Sequence, residues 1–260
     1  MTLKQTFLGE GGFARVFPVK GKANKVMRIT RGWESQKENT FLLEKNGLKF
    51  IEKLNNADPT GKFNIVKIDK YGVYKTFFEG RPYFGLYSLQ DKYTGGDLFD
   101  VQRLYRKEIR NYPKFMYKIF CDLANAVAFI HRNNICNRDI KSEHVLMVKP
   151  VESLNDIPQI KMIDFGLAVP IEKNGFVSRS NSKSAGTTNF KSPEMVMGKR
   201  YGALTDVWSL GVTFYDIYRF KTPFENGINH EREVSTIAYG TMEEYDNELY
   251  TLLRNMLTVS

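Results

Sequence analysis

The feature that most constrains this 260-residue chain is a change of periodicity at Gly95-Gly96. Before it, short β-type runs follow one another: Leu3 to Leu8, Ala14 to Lys20, Lys25 to Thr30, Phe63 to Ile68, Gly72 to Phe78 and Tyr83 to Leu89. The clusters Gly9-Glu10-Gly11-Gly12 and Gly21-Lys22-Ala23-Asn24 between the first three have turn chemistry. One helix interrupts the series between Glu38 and Leu54, where Phe41, Leu43, Leu48, Ile51 and Leu54 recur mostly at spacings of three and four; Gly47 weakens it without ending it. After Gly95-Gly96 the period becomes helical. Met116, Ile119, Phe120, Leu123, Val127 and Ile130 form one apolar stripe that stops at Asn133-Asn134, and further helical regions run from about Thr205 to Arg219 and from about Glu243 to Leu257. Strands gathered at one end and helices at the other predict an α+β fold: a small β-rich lobe over about 1–90, a connector over about 91–95, and a larger, mainly helical lobe over about 96–260, forming one domain.

Composition removes several alternatives. With 42% hydrophobic and 26% charged residues the chain can build a core, which excludes intrinsic disorder and a collagen-like fibre. No stretch of about 18 apolar residues exists, and Met1 to Phe7 has no apolar signal core, so the expectation is a soluble intracellular protein of the cytoplasm or nucleus with no membrane partner. Cys121 and Cys136, with His131, His144 and His230, lack the paired spacings of a zinc site. The formal charge of +9 attracts phosphates and acidic surfaces, but no run of five basic residues and no nucleic-acid motif occurs, which argues against sequence-specific nucleic-acid binding.

Leu8-Gly9-Glu10-Gly11-Gly12-Phe13-Ala14-Arg15-Val16 places glycines between two strand-like runs, where backbone amides can approach phosphate oxygens. A dinucleotide fold needs a helix directly afterwards, whereas Ala14 to Lys20 contains Pro18 and β-type residues. A P-loop needs Gly-Lys followed by Ser or Thr, and Gly21-Lys22, Gly61-Lys62 and Gly198-Lys199 all fail. Taken alone, the cluster also reads as a hairpin turn. Further on, Asn137-Arg138-Asp139-Ile140-Lys141 follows the long helix and Ile160-Lys161-Met162-Ile163 leads into Asp164-Phe165-Gly166. Two aspartates at the edges of short strands suit one general base and one metal ligand, although either also reads as a surface turn residue.

In this order the glycine loop, Arg138-Asp139-x-Lys141, Asp164-Phe165-Gly166, Ser192-Pro193-Glu194 and Asp206-Val207-Trp208-Ser209-Leu210-Gly211 resemble the eukaryotic-type protein kinase family, from Leu8 to about Leu257. The resemblance implies ATP and Mg2+, with Mn2+ as an alternative, and a protein substrate bearing serine or threonine hydroxyls. It implies that residues Gly9 to Val16 cover the phosphates, that Asp139 accepts the hydroxyl proton, that Asp164 holds magnesium and that Lys141 contacts the transferring phosphate. Asp91 and Tyr93 would lie in the connector whose backbone bonds adenine, with Gln90 just before it, Asp97 at the ribose, and Val16, Val26 and Leu146 against the adenine ring.

Several positions depart from that pattern. Strand alternation puts Arg28 where the family has its phosphate-binding lysine and sends Lys25 to the opposite face, with Glu44 as the helix partner and Glu38 next in line. His144 stands where the family has the asparagine that binds a second magnesium, a nitrogen donor in place of oxygen for a hard ion. Asn137 and Ala14 replace a histidine and a glycine, and Ser260 falls before the arginine that would pair with Glu194, as if the end of the fold were shortened. Two readings follow: a divergent serine/threonine kinase, or a pseudokinase that binds nucleotide or a partner without catalysis because of Arg28 and His144. Arg138 also predicts control by phosphorylation of the polar segment that holds Ser182 and Ser184.

Overall fold

A computed structural model describes residues 9–10, 14–20, 22–28, 34–78, 81–179, 185–223 and 247–258. Its first part is one antiparallel sheet of five strands, β1 (Gly9–Glu10), β2 (Ala14–Val19), β3 (Lys22–Arg28), β4 (Ile68–Phe78) and β5 (Arg81–Asp91), in the order β1-β2-β3-β5-β4. Helix α1 (Glu34–Ala57) lies between β3 and β4 in the chain. The run expected as a strand from Phe63 contributes only a bridge at Ile65, and β4 begins at Ile68. Asn64, in the left-handed region with φ 58°, turns the chain there, and a bulge between Ile68 and Lys70 shifts the register.

The second part is mainly helical, with α2 (Leu98–Leu104), α3 (Pro113–Arg132), α4 (Pro193–Val196), α5 (Leu204–Arg219) and α6 (Asn247–Met256). The α+β class read from the sequence is the class observed. Helix α3 starts on Pro113, whose missing N–H costs nothing in the first turn, and ends with His131 and Arg132 in the last. Its six stripe residues are all buried. Short strands β6 (Ile135–Cys136) with β9 (Val169–Pro170), and β7 (Val145–Met147) with β8 (Ile160–Met162), form two ribbons at the edge of this helical part. One continuous core joins Leu48, Ile51 and Leu54 of α1 to Leu86 of β5 and to the buried faces of α3 and α5. Each such side chain contributes about 1.5–3 kcal/mol by leaving water. Between sheet and helices a cleft of about 700 Å³ opens.

Candidate active site

The cleft roof begins at β3. The register pairs Ala23 with Gln90 and Lys25 with Ser88, and all four residues line the cleft. Residues two apart on a strand share a face, so Ala23 and Lys25 point the same way and position 28 falls on the other. Lys25 Nζ stands 3.2 Å from Glu44 Oε2 and 3.4 Å from Oε1. The strand-alternation argument that favoured Arg28 is therefore corrected. Alternation holds, but the face assigned to the cleft was the opposite one, and Lys25 is the cation facing Glu44. Val26 is corrected with it. Ala23, fully buried, lies on the cleft face together with Val16 and Leu146, whereas Val26 pairs with Tyr87 one position out of phase. Burial works to lower the Lys25 pKa, but the charges of Glu44 and Asp164 outweigh it and hold the ammonium above its ordinary value.

Gly47, one turn beyond Glu44, explains why a helix-weakening residue sits in α1. A Cβ there would lie 2.7 Å from the carbonyl carbon and oxygen of Phe165 and 2.9 Å from the nitrogen of Gly166. Only glycine lets α1 rest directly on the backbone that carries Asp164.

The floor is built on Asp206, in the first turn of α5 and wholly buried. Its carboxylate accepts the N–H groups of Asn137 and Arg138 at 2.8 Å each and meets His131 Nε2 at 2.9 Å. These bonds hold the loop after β6 in a turn where Arg138 adopts φ 70°. Asp139 follows it. Its Oδ1 accepts from the N–H and the hydroxyl of Thr187 at 2.9 and 2.8 Å, and Lys141 Nζ donates to the same hydroxyl at 3.0 Å. Thr187 thus ties the base candidate to Lys141. Nothing in the local sequence marks Thr187 for this role. The Arg138 guanidinium is buried, donating from Nε to the Leu167 carbonyl and from an Nη to the Tyr201 hydroxyl.

Asp164 also takes a left-handed backbone, φ 63°, a conformation costly for a side-chain-bearing residue and concentrated at functional sites. Its Oδ1 accepts the Gly166 N–H at 3.0 Å. Burial pushes its pKa up, but Lys25, His144, that N–H bond and Lys141 together bring it below the ordinary carboxylate range. His144 closes the gap between the aspartates, with Nδ1 2.9 Å from the Asp139 carbonyl oxygen and Nε2 3.5 Å from Asp164 Oδ2. Among the described residues no group of three or more His, Cys, Asp or Glu forms a metal cage. A cation held by Asp164 and position 144 would complete its shell with water and phosphate oxygens, as magnesium bound with substrate does.

Toward the connector, Asp91 ends β5 and is ion-paired with Lys22, while Tyr93 receives the Lys67 N–H on its hydroxyl and is pushed up to about 12 by burial. Asp97 caps α2, accepting the Asp100 N–H at 2.8 Å, and lines the cleft beside Leu146. Its carboxyl is raised by burial and then by the charges of Asp100 and Glu143. Of the glycine loop, the backbone pairs Gly9 with Val16 and Glu10 with Arg15, which makes it a hairpin running into Ala14. Leu8, Gly11, Gly12 and Phe13 lie outside the described residues, as do Ser182 and Ser184.

A strand lysine paired to a helix glutamate above two aspartates, between a five-stranded sheet and a helical lobe, is the architecture of a kinase fold. Comparison with known families agrees over nearly the whole length. Residues 3–260 match the protein kinase domain, and the chain belongs to that family. Among curated proteins it is 27% identical to the serine/threonine-protein kinase AtPK2/AtPK19 of Arabidopsis thaliana over 96% of this chain and 48% of the relative. It is 30% identical to calcium-dependent protein kinase 3 of Plasmodium yoelii yoelii over 88% and 38%, and 28% identical to the cGMP-dependent protein kinase of Plasmodium berghei over 89% and 24%. The chain spans less than half the length of these relatives. No helix among the described residues is long and apolar enough to cross a membrane.

Proposed function

We propose that this chain is an active protein kinase that moves the terminal phosphoryl group of ATP to serine or threonine hydroxyls of protein substrates. The observation that carries the reading is the Lys25–Glu44 pair at 3.2 Å, on the same cleft as Asp164. A lysine held there by a carboxylate keeps its charge and its position, so it can fix a phosphate without spending substrate binding energy on ordering a loose side chain. Magnesium, held by Asp164 and position 144, would supply positive charge to the phosphate oxygens. Asp139, oriented by Thr187, accepts the proton of the incoming hydroxyl from the floor. Lys141, linked to the same threonine, stands on the acceptor side and offsets charge at the transferring group. Ala23, Val16 and Leu146 provide the apolar slot for adenine, and the backbone at Asp91 and Tyr93 provides its hydrogen-bonding edge.

The relatives named as serine/threonine-protein kinases support the choice of hydroxyl. The pseudokinase alternative loses one of its two motives, because the cation at Glu44 is a lysine after all. It keeps the other, His144. Transfer from radiolabelled ATP to a generic basic protein, with magnesium or manganese, tests the proposal. Incorporation well above that of Asp139→Asn is expected; incorporation equal to that variant overturns it.

A further inference from the structure

His144 stands beside Asp164 of the cleft and offers nitrogen where a hard ion prefers oxygen, and its surroundings say which of its atoms faces that aspartate. The Asp139 carbonyl can only accept, so the Nδ1 atom 2.9 Å away carries a hydrogen. That bond turns the ring so that Nε2 faces Asp164 Oδ2 at 3.5 Å. On the aspartate, Oδ1 is engaged by the Gly166 N–H, which leaves Oδ2 as the atom turned toward the imidazole. A separation of 3.5 Å is long for a hydrogen bond. It is close to the spacing of neighbouring ligands on one ion, which at about 2.1 Å from the metal stand about 3.0 Å apart at a right angle and further as the angle opens. Ring and carboxylate are thus each held by a backbone group on one side and turn Nε2 and Oδ2 toward each other on the other, so that a cation displacing the Nε2 proton would meet one lone pair from each. The imidazole arrangement also matches that of metal-binding histidines generally, in which one ring nitrogen donates to a carbonyl or carboxylate and the other ligates.

We propose that His144 Nε2 and Asp164 Oδ2 together bind a divalent cation alongside nucleotide phosphate, and that the nitrogen donor shifts the preference of the cleft from magnesium toward manganese. Magnesium discriminates against nitrogen and holds its water tightly. Manganese accepts the same six-fold oxygen environment and tolerates imidazole. The inference rests on the nucleotide-binding reading of the cleft and specifies its metal.

The test uses the full chain with ADP and Mn2+. Nucleotide binding is established first, by the rise in melting temperature that ADP gives with each cation. Electron spin-echo modulation of the bound Mn2+ is then expected to show a directly bonded 14N nucleus. Its frequencies should change when the protein is labelled with 15N-histidine, and the signal should vanish in His144→Asn, while His131 and His230 remain. In isothermal titration the ratio of the magnesium to the manganese dissociation constant should fall about tenfold in His144→Asn, the lower end of what losing one group of a metal site costs. Bound ADP and Mn2+ with no nitrogen coupling in the unsubstituted protein overturns this inference and leaves the kinase reading standing. No ADP binding with either cation overturns both.

Discussion

Roof and floor of the cleft are held by different kinds of force. On the floor, Asp206 is fully buried and its oxygens are filled by two backbone N–H groups and a histidine, so the turn carrying Asp139 is part of the core's hydrogen-bond network. On the roof, Lys25 and Glu44 keep 32% and 22% of their side chains exposed and meet through a single ion pair. The second half of α1 is pinned by Leu48, Ile51 and Leu54, while its first half shows Leu42 and Leu43 to solvent. A fully buried, multiply bonded carboxylate costs several kcal/mol to remove, whereas a partly exposed ion pair contributes about 1 kcal/mol. Floor geometry is therefore inseparable from folding, and roof geometry is where activity can change while the fold persists.

The strongest way to break this contrast is at the floor. Asp206→Ala leaves the N–H groups of Asn137 and Arg138 unpaired in the core and should destabilise by about 3–5 kcal/mol. At about 2–4 °C per kcal/mol for a chain of this size, the melting temperature should fall by roughly 10 °C, with phosphoryl transfer lost. A shift under about 3 °C by calorimetry would show that the floor does not depend on this carboxylate. The matching roof variant, Lys25→Met, should lower transfer about 100-fold or more while moving the melting temperature of the nucleotide-free protein by only about 2 °C. Arg28→Met, on the other strand face, should change transfer less than about threefold. If the two variants exchanged their effects, the assignment of Lys25 would be wrong.

Gly47→Ala sharpens the same contrast with a smaller effect. Alanine gains about 1 kcal/mol of helix propensity, yet its methyl would press on the Phe165 carbonyl at 2.7 Å, where backbone has little room to yield. The two terms nearly cancel in stability but not in position, because relief comes only by moving α1 and with it Glu44. Transfer should drop about tenfold with the melting temperature nearly constant, and the drop should lie in kcat more than in KM for the protein substrate. A variant with unchanged kcat would show that α1 tolerates the displacement.

What the sequence made legible follows from what each signal measures. The switch at Gly95-Gly96 and the α3 stripe report burial, a property summed over many residues, and both were read correctly. The motifs around Asp139 and Asp164 are local in the chain, so their spacing survives as written. Phase was the weak point. Alternation sets which residues of β3 share a face but not which face looks into the cleft, and choosing the wrong one selects Arg28 for Lys25 and Val26 for Ala23. The pairing of Lys25 with Ser88 comes from β5, more than 60 residues away, and nothing local encodes it. Ala23-x-Lys25, a small residue two before a lysine in a strand, was the signal available. The role of Gly47 and the hydrogen bonds of Thr187 depend on contacts between distant segments and had no signature in the chain.

Asp97 gives the smallest effect and the most specific one, because it is the floor carboxylate whose surroundings oppose its charge. Burial, and after it Asp100 and Glu143, raise its folded-state pKa above the unfolded value. For an acid this sign means that the folded state holds its proton more tightly. The penalty is absent below the ordinary carboxylate range, where both states are protonated, and fully developed above the raised value. Asp97→Asn removes the charge and keeps the side-chain oxygen that caps α2, since asparagine caps about as well as aspartate. At pH 7 the variant should melt higher by about 1–2 °C, a gain under 1 kcal/mol that shrinks toward zero as pH falls to about 4. If Asp97 binds the ribose hydroxyls, the same variant should bind ADP more weakly by about three- to tenfold, the loss of one charged hydrogen bond. A gain in stability with unchanged ADP affinity would leave Asp97 a capping residue and remove it from the nucleotide site. Higher stability with weaker binding would mean that its charge is kept at this position for the nucleotide and against the fold.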